Sequence, residues 1–283
     1  MRFYVIIPAH NEEDFLADTL NSILRQTVQP AKVVVVNDNS SDRTERIIDQ
    51  FIGLSPIVEK TNIFTSNEHL PGSKVVNAFN AGLDLVDDKY DFLVKLDADL
   101  ILPDNYFEKI VHIFRGQPNV GIAGGFIYEQ DAKGRWKLNH PMDKDHVRGA
   151  IKAYSKACFN AIGGLRSAMG WDTVDELLAR YNDYDIYTDN ALQVKHLRPT
   201  GKAYDPKAKV MQGRAMYRMR YGLWITLIAS LKMAWKQGRP KAFFDNMRGY
   251  FAARKEQIPF LVSEEEGAFI RKLRWENIKR KIF

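Results

Sequence analysis

Two carboxylates one residue apart, Asp97 and Asp99 in Lys95-Leu96-Asp97-Ala98-Asp99-Leu100, carry the clearest chemistry in this chain. They follow Tyr90-Asp91-Phe92-Leu93-Val94, an apolar run that reads as a buried strand. Alternation along a strand turns residues i and i+2 to one side, so both aspartates are expected to face one ligand. Neighbouring carboxylates repel and raise each other's pKa unless a cation sits between them. Hard oxygen donors of this kind suit Mg²⁺ or Mn²⁺, and those ions suit the phosphates of a nucleotide. The competing reading is a solvated acidic turn, since Asp is common where strands end.

The elements that must position these groups alternate. Phe3-Tyr4-Val5-Ile6-Ile7-Pro8 is an apolar run closed by proline, the mark of a buried parallel strand. Asn11-Glu12-Glu13-Asp14 starts a helix, on which Phe15, Leu16, Leu20, Ile23 and Leu24 recur at helical spacing. A second strand, Lys32 to Val36, runs into Asn37-Asp38-Asn39-Ser40-Ser41-Asp42, and a helix follows from about Arg43 to Phe51. A weaker strand near Ile57 to Phe64 and a helix over Asn77 to Asp84 precede the strand at 91–96. This order predicts an α/β fold with a doubly wound, mostly parallel sheet, in which ligands sit beyond the carboxyl ends of the strands. Three polar clusters fall on those ends: Ala9 to Glu12, Asn37 to Asp42 and Asp97 to Asp99.

After Pro103 the spacing of Phe107, Ile110, Val111 and Phe114 predicts a further helix, and Val120 to Tyr128 a strand. Residues 129–146 are polar and read as a mobile excursion. Arg148 to Tyr154 leads into a helix that ends at Gly163-Gly164. No Gly-x-Gly-x-x-Gly follows the first strand and no Gly-x-x-x-x-Gly-Lys-Ser/Thr occurs, so a glycine-cradled nucleotide is not expected. The lone Cys158 excludes a disulfide framework and fits a reducing compartment, and the first residues do not read as a secretory signal.

Val5 to Glu13, Val35 to Asp42 and Leu96-Asp97-Ala98-Asp99 together resemble family 2 glycosyltransferases of the GT-A fold, over about residues 1–210. The resemblance implies a mixed, mostly parallel Rossmann-like sheet flanked by helices, with residues 1–100 as the nucleotide-binding half and 101–210 as the acceptor half. It implies inverting transfer of a sugar from a UDP- or GDP-sugar donor, assisted by a divalent metal, to a hydroxyl of a glycan or lipid-linked acceptor. Pro8, Ala9, Asn11, Glu12, Asp38, Lys74 and Asp97 would then hold the donor. Asp99, Asp97 and His196, the last in Val194-Lys195-His196-Leu197-Arg198-Pro199-Thr200-Gly201, would hold the metal. Gly170-Trp171-Asp172-Thr173-Val174-Asp175-Glu176-Leu177 resembles the segment that supplies the catalytic base. Asp172 is favoured, with Asp175 and Glu176 as alternatives that also fit a helix start. The commonest strand-end pattern, Asp-Asp-Gly-Ser, is here Asn37-Asp38-Asn39-Ser40. The base must approach the sugar from the face opposite the leaving group, so it cannot be Asp97 or Asp99.

Charge is unevenly distributed. Residues 1–210 carry 25 Lys and Arg against 29 Asp and Glu, whereas 211–283 carry 16 against 6. A basic C-terminal extension on a near-neutral body points to an anionic surface. A helix opening at Arg214 is expected to continue to Lys236, with an uncharged run of 11 residues from Tyr221 to Leu231. That run is about 16 Å of helix against a hydrocarbon core of about 30 Å, too short to span a bilayer. Basic flanks with Trp224 and Trp235 fit a helix lying in the membrane interface at the inner face of a cytoplasmic membrane. Packing on the catalytic domain and an oligomer contact are the other readings. A metal-dependent nucleotidyltransferase would want a basic glycine-rich loop after the first strand, where Ala9 to Asp14 is acidic. A non-catalytic nucleotide- or nucleic-acid-binding protein is disfavoured by the near-neutral body, and nucleic acid is not an expected partner.

Overall fold

The computed structural model describes residues 1–65, 72–139, 146–198 and 208–282. Residues 140–145 of the polar excursion and Pro199 to Gly201 of the histidine segment lie outside them. The chain forms two compact units. The first comprises residues 1–69, 74–165 and 182–200, and the second residues 70–73, 166–181 and 201–283.

The first unit is a sheet with helices. Its strands are β1 (Phe3–Ala9), β2 (Lys32–Asp38), β3 (Val58–Ile63), β4 (Phe92–Leu96), β5 (Leu100–Ile101), β6 (Val120–Gln130), β7 (Trp136–Leu138), β8 (Ile151–Ser155) and β9 (Asp185–His196). Its helices are α1 (Leu16–Leu24), α2 (Thr44–Leu54), α3 (Ser73–Leu83), α4 (Tyr106–Gly116) and α5 (Lys156–Ala161). Strand order is β3-β2-β1-β4-β8-β6-β9-β5, with β7 on β6. The first four strands run parallel, and β8 lies antiparallel between β4 and β6. β6 and β9 are parallel, and β5 is antiparallel to β9. The aliphatic runs of β1 and β2 form central strands because they are covered on both faces, and Val5 to Ile7 and Val33 to Val36 are fully buried. Phe3 stacks on Phe92 at 4.5 Å between ring centroids, with Phe107 of α4 against Phe3 at 4.9 Å. Register places Pro8 beside Val36 and Ala9 beside Asn37, so the ends of β1 and β2 are level.

Two local expectations are sharpened. The excursion at 129–146 begins as a hairpin: β6 runs on to Gln130 and pairs with β7, and Asp131 accepts the amides of Lys133 and Arg135 at 2.8 and 3.0 Å. The segment that leads into the helix ending at Gly163-Gly164 is itself a strand over Ile151 to Ser155, because β4 and β6 pair with it on both sides. Its Ser155 caps α5, and Gly163 and Gly164 then take positive φ as the sequence predicts. The parallel pair β6–β9 carries a bulge at which Gly125 faces Asp189 and Phe126 faces Gln193. A Cβ on Gly125 would stand 2.3 Å from the carbonyl oxygen of Leu192, so glycine is needed there.

The second unit is helical: α6 (Trp171–Tyr181), α7 (Ala208–Arg218), α8 (Gly222–Lys236), α9 (Lys241–Lys255) and α10 (Glu264–Ile282). The single helix expected from Arg214 to Lys236 is two, α7 and α8. Arg220 at φ 55° and Gly222 at φ 73° break it, and the amide of Tyr221 turns back to the carbonyl of Met216 at 3.1 Å. α7 and α9 cross with their backbones close together. A Cβ on Gly213 would lie 1.8 Å from the carbonyl oxygen of Asn246, and one on Gly249 1.9 Å from that of Val210. α10 opens with a reciprocal cap: Ser263 Oγ accepts the Glu266 amide at 3.1 Å and Glu266 accepts the Ser263 amide at 2.6 Å. Among the described residues no helix is long and apolar enough to cross a membrane.

Candidate active site

Asp97-Ala98-Asp99 is a turn, not the continuation of β4 on which the alternation of its side chains depended. The turn's backbone is engaged on several sides. The Asp97 amide donates to the Ala150 carbonyl at 2.9 Å, and Thr19 Oγ1 donates to the Ala98 carbonyl at 2.7 Å and accepts the Leu100 amide at 2.9 Å. The two aspartates consequently have different partners. Asp97, about one-third exposed, accepts from the ammonium of Lys95, which is fully buried. Asp99 is buried, with its carboxylate 3.2 Å from Nε2 of His196.

The pairing of β5 with β9 explains that contact between residues far apart in the chain. Leu100 lies opposite His196, and the amide of Leu197 donates to the Asp99 carbonyl at 2.8 Å. Nδ1 of His196 lies 3.2 Å from Oε1 of Glu129 at the end of β6. Burial alone would lower the imidazole pKa, but the bonded Asp99 carboxylate, together with Asp97 and Glu129, outweighs it and holds the value above the usual one. Asp99 and His196 offer one oxygen and one nitrogen donor. Among the described residues no three His, Cys, Asp or Glu side chains form a ready-made metal cage. This donor pair fits Mg²⁺ or Mn²⁺ that takes its remaining ligands from water and a bound phosphate, and does not fit a closed structural zinc centre.

The ends of β1 and β2 are tied into one rim. Asn11 and Asn39 both sit at positive φ, 54° and 50°, a conformation asparagine tolerates better than most residues. The Asn11 side chain accepts the Ser41 amide at 2.8 Å, the Glu12 amide donates to Thr44 Oγ1 at 2.7 Å, and His10 Nδ1 lies 2.6 Å from the Asp38 carbonyl. Both carboxylate oxygens of buried Asp38 are engaged by Thr65, one by its amide at 3.0 Å and one by its hydroxyl at 2.6 Å. Glu12 contacts the guanidinium of Arg198 at 2.6 Å. Burial pushes the Glu12 carboxyl up to about 8; Arg198 opposes that rise, and the charges of Asp99, Asp97 and Asp42 reinforce it. Pro8 and Ala9 close β1 on the same rim, and Lys74 lies in the first turn of α3.

The structure thus gathers Asp97, Asp99 and His196 at one strand-end turn and joins Asn11, Glu12 and Asp38 through the β1–β2 rim. Asp172, Asp175 and Glu176 belong to the second unit, on α6. That helix starts at Trp171, so Asp172 is in its first turn and Asp175 and Glu176 lie one turn further in. Asp175 and Glu176 are buried, Asp172 is partly exposed, and the Glu176 amide donates to Asp175 Oδ1 at 2.6 Å. Sequence reasoning gave no role to Lys95, Glu129, Thr65 or Arg198. Lys95 carried a signal, a lysine inside an apolar strand two residues before an aspartate. Glu129 and Thr65 had none short of the topology.

The sequence profile described as Glycosyl transferase family 2 matches residues 4–169. The chain is 24% identical over 254 residues to poly-beta-1,6-N-acetyl-D-glucosamine synthase of Staphylococcus aureus strain MSSA476, covering 88% of this chain and 57% of that protein. It is 27% identical over 123 residues to an uncharacterized glycosyltransferase of Haemophilus influenzae, covering 44% of this chain and 36% of that one. The chain thus spans between about a third and just over half of these relatives' length. Among solved structures it is similar to S. aureus TarS 1–349 in complex with UDP-GlcNAc, with TM-score 0.59 and 19% identity, covering 78% of this chain and 65% of that chain. It is also similar to the mannosyltransferase PcManGT of Pyrobaculum calidifontis in complex with GDP-Man and Mn²⁺, with TM-score 0.58 and 17% identity, covering 96% and 79%. At these identities the likeness is one of fold, the GT-A glycosyltransferase fold predicted from the strand-end motifs. With more than half of its residues matched by the profile, the chain belongs to glycosyl transferase family 2.

Proposed function

We propose that the chain transfers a sugar, with inversion, from a UDP- or GDP-sugar to a hydroxyl of a glycan or lipid-linked acceptor in cell-surface polysaccharide synthesis. The observation that carries this reading is the Asp99–His196 pair, 3.2 Å apart at the strand-end turn beside Asp97. Asp99 and His196 are the proposed ligands of a divalent ion, which when bound offsets the negative charge that develops on the leaving diphosphate. Asp97, oriented by Lys95, serves the ribose or the same ion. Pro8, Ala9, Asn11 and Glu12 border the base and ribose, Asp38 reads the base edge, and Lys74 faces the phosphates.

A hydroxyl acceptor is a poor nucleophile until a carboxylate takes its proton during attack. Asp172 is the proposed base, and its greater exposure than Asp175 or Glu176 suits a group that must meet an incoming acceptor. One base and no carboxylate nucleophile give inversion at the anomeric carbon. The names of the relatives support a polysaccharide or glycan product, and the basic residues of 211–283 support a site of action at the inner face of a membrane.

Titration of UDP and GDP with and without Mn²⁺, followed by hydrolysis of a panel of nucleotide sugars, tests the reading. One nucleotide binds in a Mn²⁺-dependent manner, and Asp99→Ala removes that dependence. Failure of both nucleotides to bind, with Asp99→Ala indistinguishable from the parent, overturns it.

A further inference from the structure

Two adjacent helices of the second unit each leave one face unlike an ordinary soluble surface. On α8, Trp224, Ile228, Leu231 and Trp235 follow one another at spacings of four, three and four residues, which makes one stripe. Three of them are far out of the protein: Trp224 is 69% exposed, Leu231 64% and Trp235 85%. The opposite side of α8 is sealed by buried Ile225, Thr226, Ser230 and Ala234, so the stripe is not a misplaced core face. On α9, which packs on α8, Lys241, Phe244, Arg248, Phe251 and Lys255 form a second exposed stripe at spacings of three, four, three and four. Phe244 is 68% exposed. Between Gly222 and Lys255 there are seven Lys and Arg and a single acidic residue, Asp245.

We infer that the α8–α9 pair is a docking surface for an anionic lipid bilayer, with Trp224, Leu231, Trp235, Phe244 and Phe251 entering the headgroup–acyl boundary. This names the surface behind the membrane contact proposed above and rests on that reading. Aromatic residues with an apolar body suit that boundary, and the interleaved Lys and Arg suit lipid phosphates. Charge decides against the other occupants. A second copy of this chain docked face to face would set seven basic residues against seven more. Lysine is depleted from protein interfaces, yet here it borders both stripes. Nucleic acid would match the charge and could stack on the aromatic rings, but it would leave the aliphatic Ile228 and Leu231 of the stripe without an apolar partner.

Sedimentation of the full chain with vesicles tests the assignment, using phosphatidylcholine alone against phosphatidylcholine with phosphatidylglycerol. The parent protein pellets with the anionic vesicles and stays in solution with the neutral ones. A variant carrying Trp224→Ser, Trp235→Ser, Phe244→Ser and Phe251→Ser stays in solution with both while it binds donor nucleotide as the parent does. A second variant, Lys236→Gln with Arg248→Gln, keeps the apolar stripes and loses about fivefold in partitioning per residue. Anionic vesicles that fail to pellet the parent overturn both the surface and the membrane contact, and leave the transferase reading to the nucleotide titration. Equal pelleting of parent and four-residue variant overturns the surface alone. A parent that is dimeric and a variant that is monomeric by light scattering also overturn it, in favour of a contact between copies.

Discussion

Glu12→Gln should make the ligand-free protein more stable above pH 5 and worse at holding its donor. Burial and nearby carboxylates push Glu12 from an ordinary glutamate value up to about 8, even with Arg198 2.6 Å away. The folded chain therefore binds this proton more tightly than the unfolded chain does. For such a group stability is fully present below the unfolded pKa and is lost as pH rises through the folded one. Between about 4.5 and 8 the parent loses stability at about 1.4 kcal/mol per pH unit, to a ceiling of about 5 kcal/mol. Glutamine keeps the carbonyl acceptor for Arg198 and cannot ionise. The difference between variant and parent is then near zero at about pH 3.5, about 1 kcal/mol at pH 5 and at most about 3 kcal/mol at pH 7. Urea unfolding followed by circular dichroism across this range, in EDTA and without nucleotide, measures the difference while common pH effects cancel. A difference that does not change with pH, or a variant less stable than the parent at pH 8, refutes the reasoning. Donor affinity read in parallel should fall, because the proposed role needs the carboxylate.

Gly213→Ala and Gly249→Ala each force a methyl into the other helix's backbone, and each should destabilise the second unit by about 1–3 kcal/mol in thermal or urea unfolding. Gly125→Ala meets Leu192 in the same way and should cost a similar amount in the first unit, whereas Gly53→Ala, with open space around it, should not destabilise. A double-mutant cycle on Lys95→Met and Asp97→Asn should show a coupling of about 1–3 kcal/mol in stability, and strictly additive effects would mean the pair is incidental. Of Asp172→Asn, Asp175→Asn and Glu176→Gln, the one that removes the base should lower kcat by about 10²–10⁴ and leave the donor KM near its parent value. A loss confined to KM in all three would remove α6 from the chemistry.

Legibility followed how local each cause is. β1, β2 and β4 could be read because a strand covered on both faces must be apolar along its length. α1, α2 and α4 could be read because one face of each is apolar at helical spacing. β8 could not, since Ile151-Lys152-Ala153-Tyr154 looks like no strand by itself and becomes one through its two neighbours. β5 is two residues long and has no signature at all, yet its pairing with β9 is what sets His196 against Asp99. The break between α7 and α8 lay in Arg220, a residue that ordinarily continues a helix and here takes positive φ.

Asp97 and Asp99 pose an electrostatic problem that their chain positions alone do not solve. Asp97 and Asp99 so close together need a cation, and a divalent metal was the expected one. The protein places a cationic or titratable partner on each carboxylate: Lys95 on Asp97, His196 on Asp99, and Arg198 on Glu12 at the β1–β2 rim. Each partner comes from a different constraint. Lys95 is two residues away, His196 arrives through the β5–β9 register, and Arg198 follows His196 by two residues along the same strand end. The partners are not equivalent to a metal. Lys95 has no lone pair while it stays protonated and can only orient Asp97, whereas His196 can give up its proton and become a donor beside Asp99. In the proposed reaction this asymmetry assigns the two aspartates separate work. Asp99 with His196 forms the exchangeable half of the site, and Asp97 with Lys95 forms the half that stays fixed while ligands come and go.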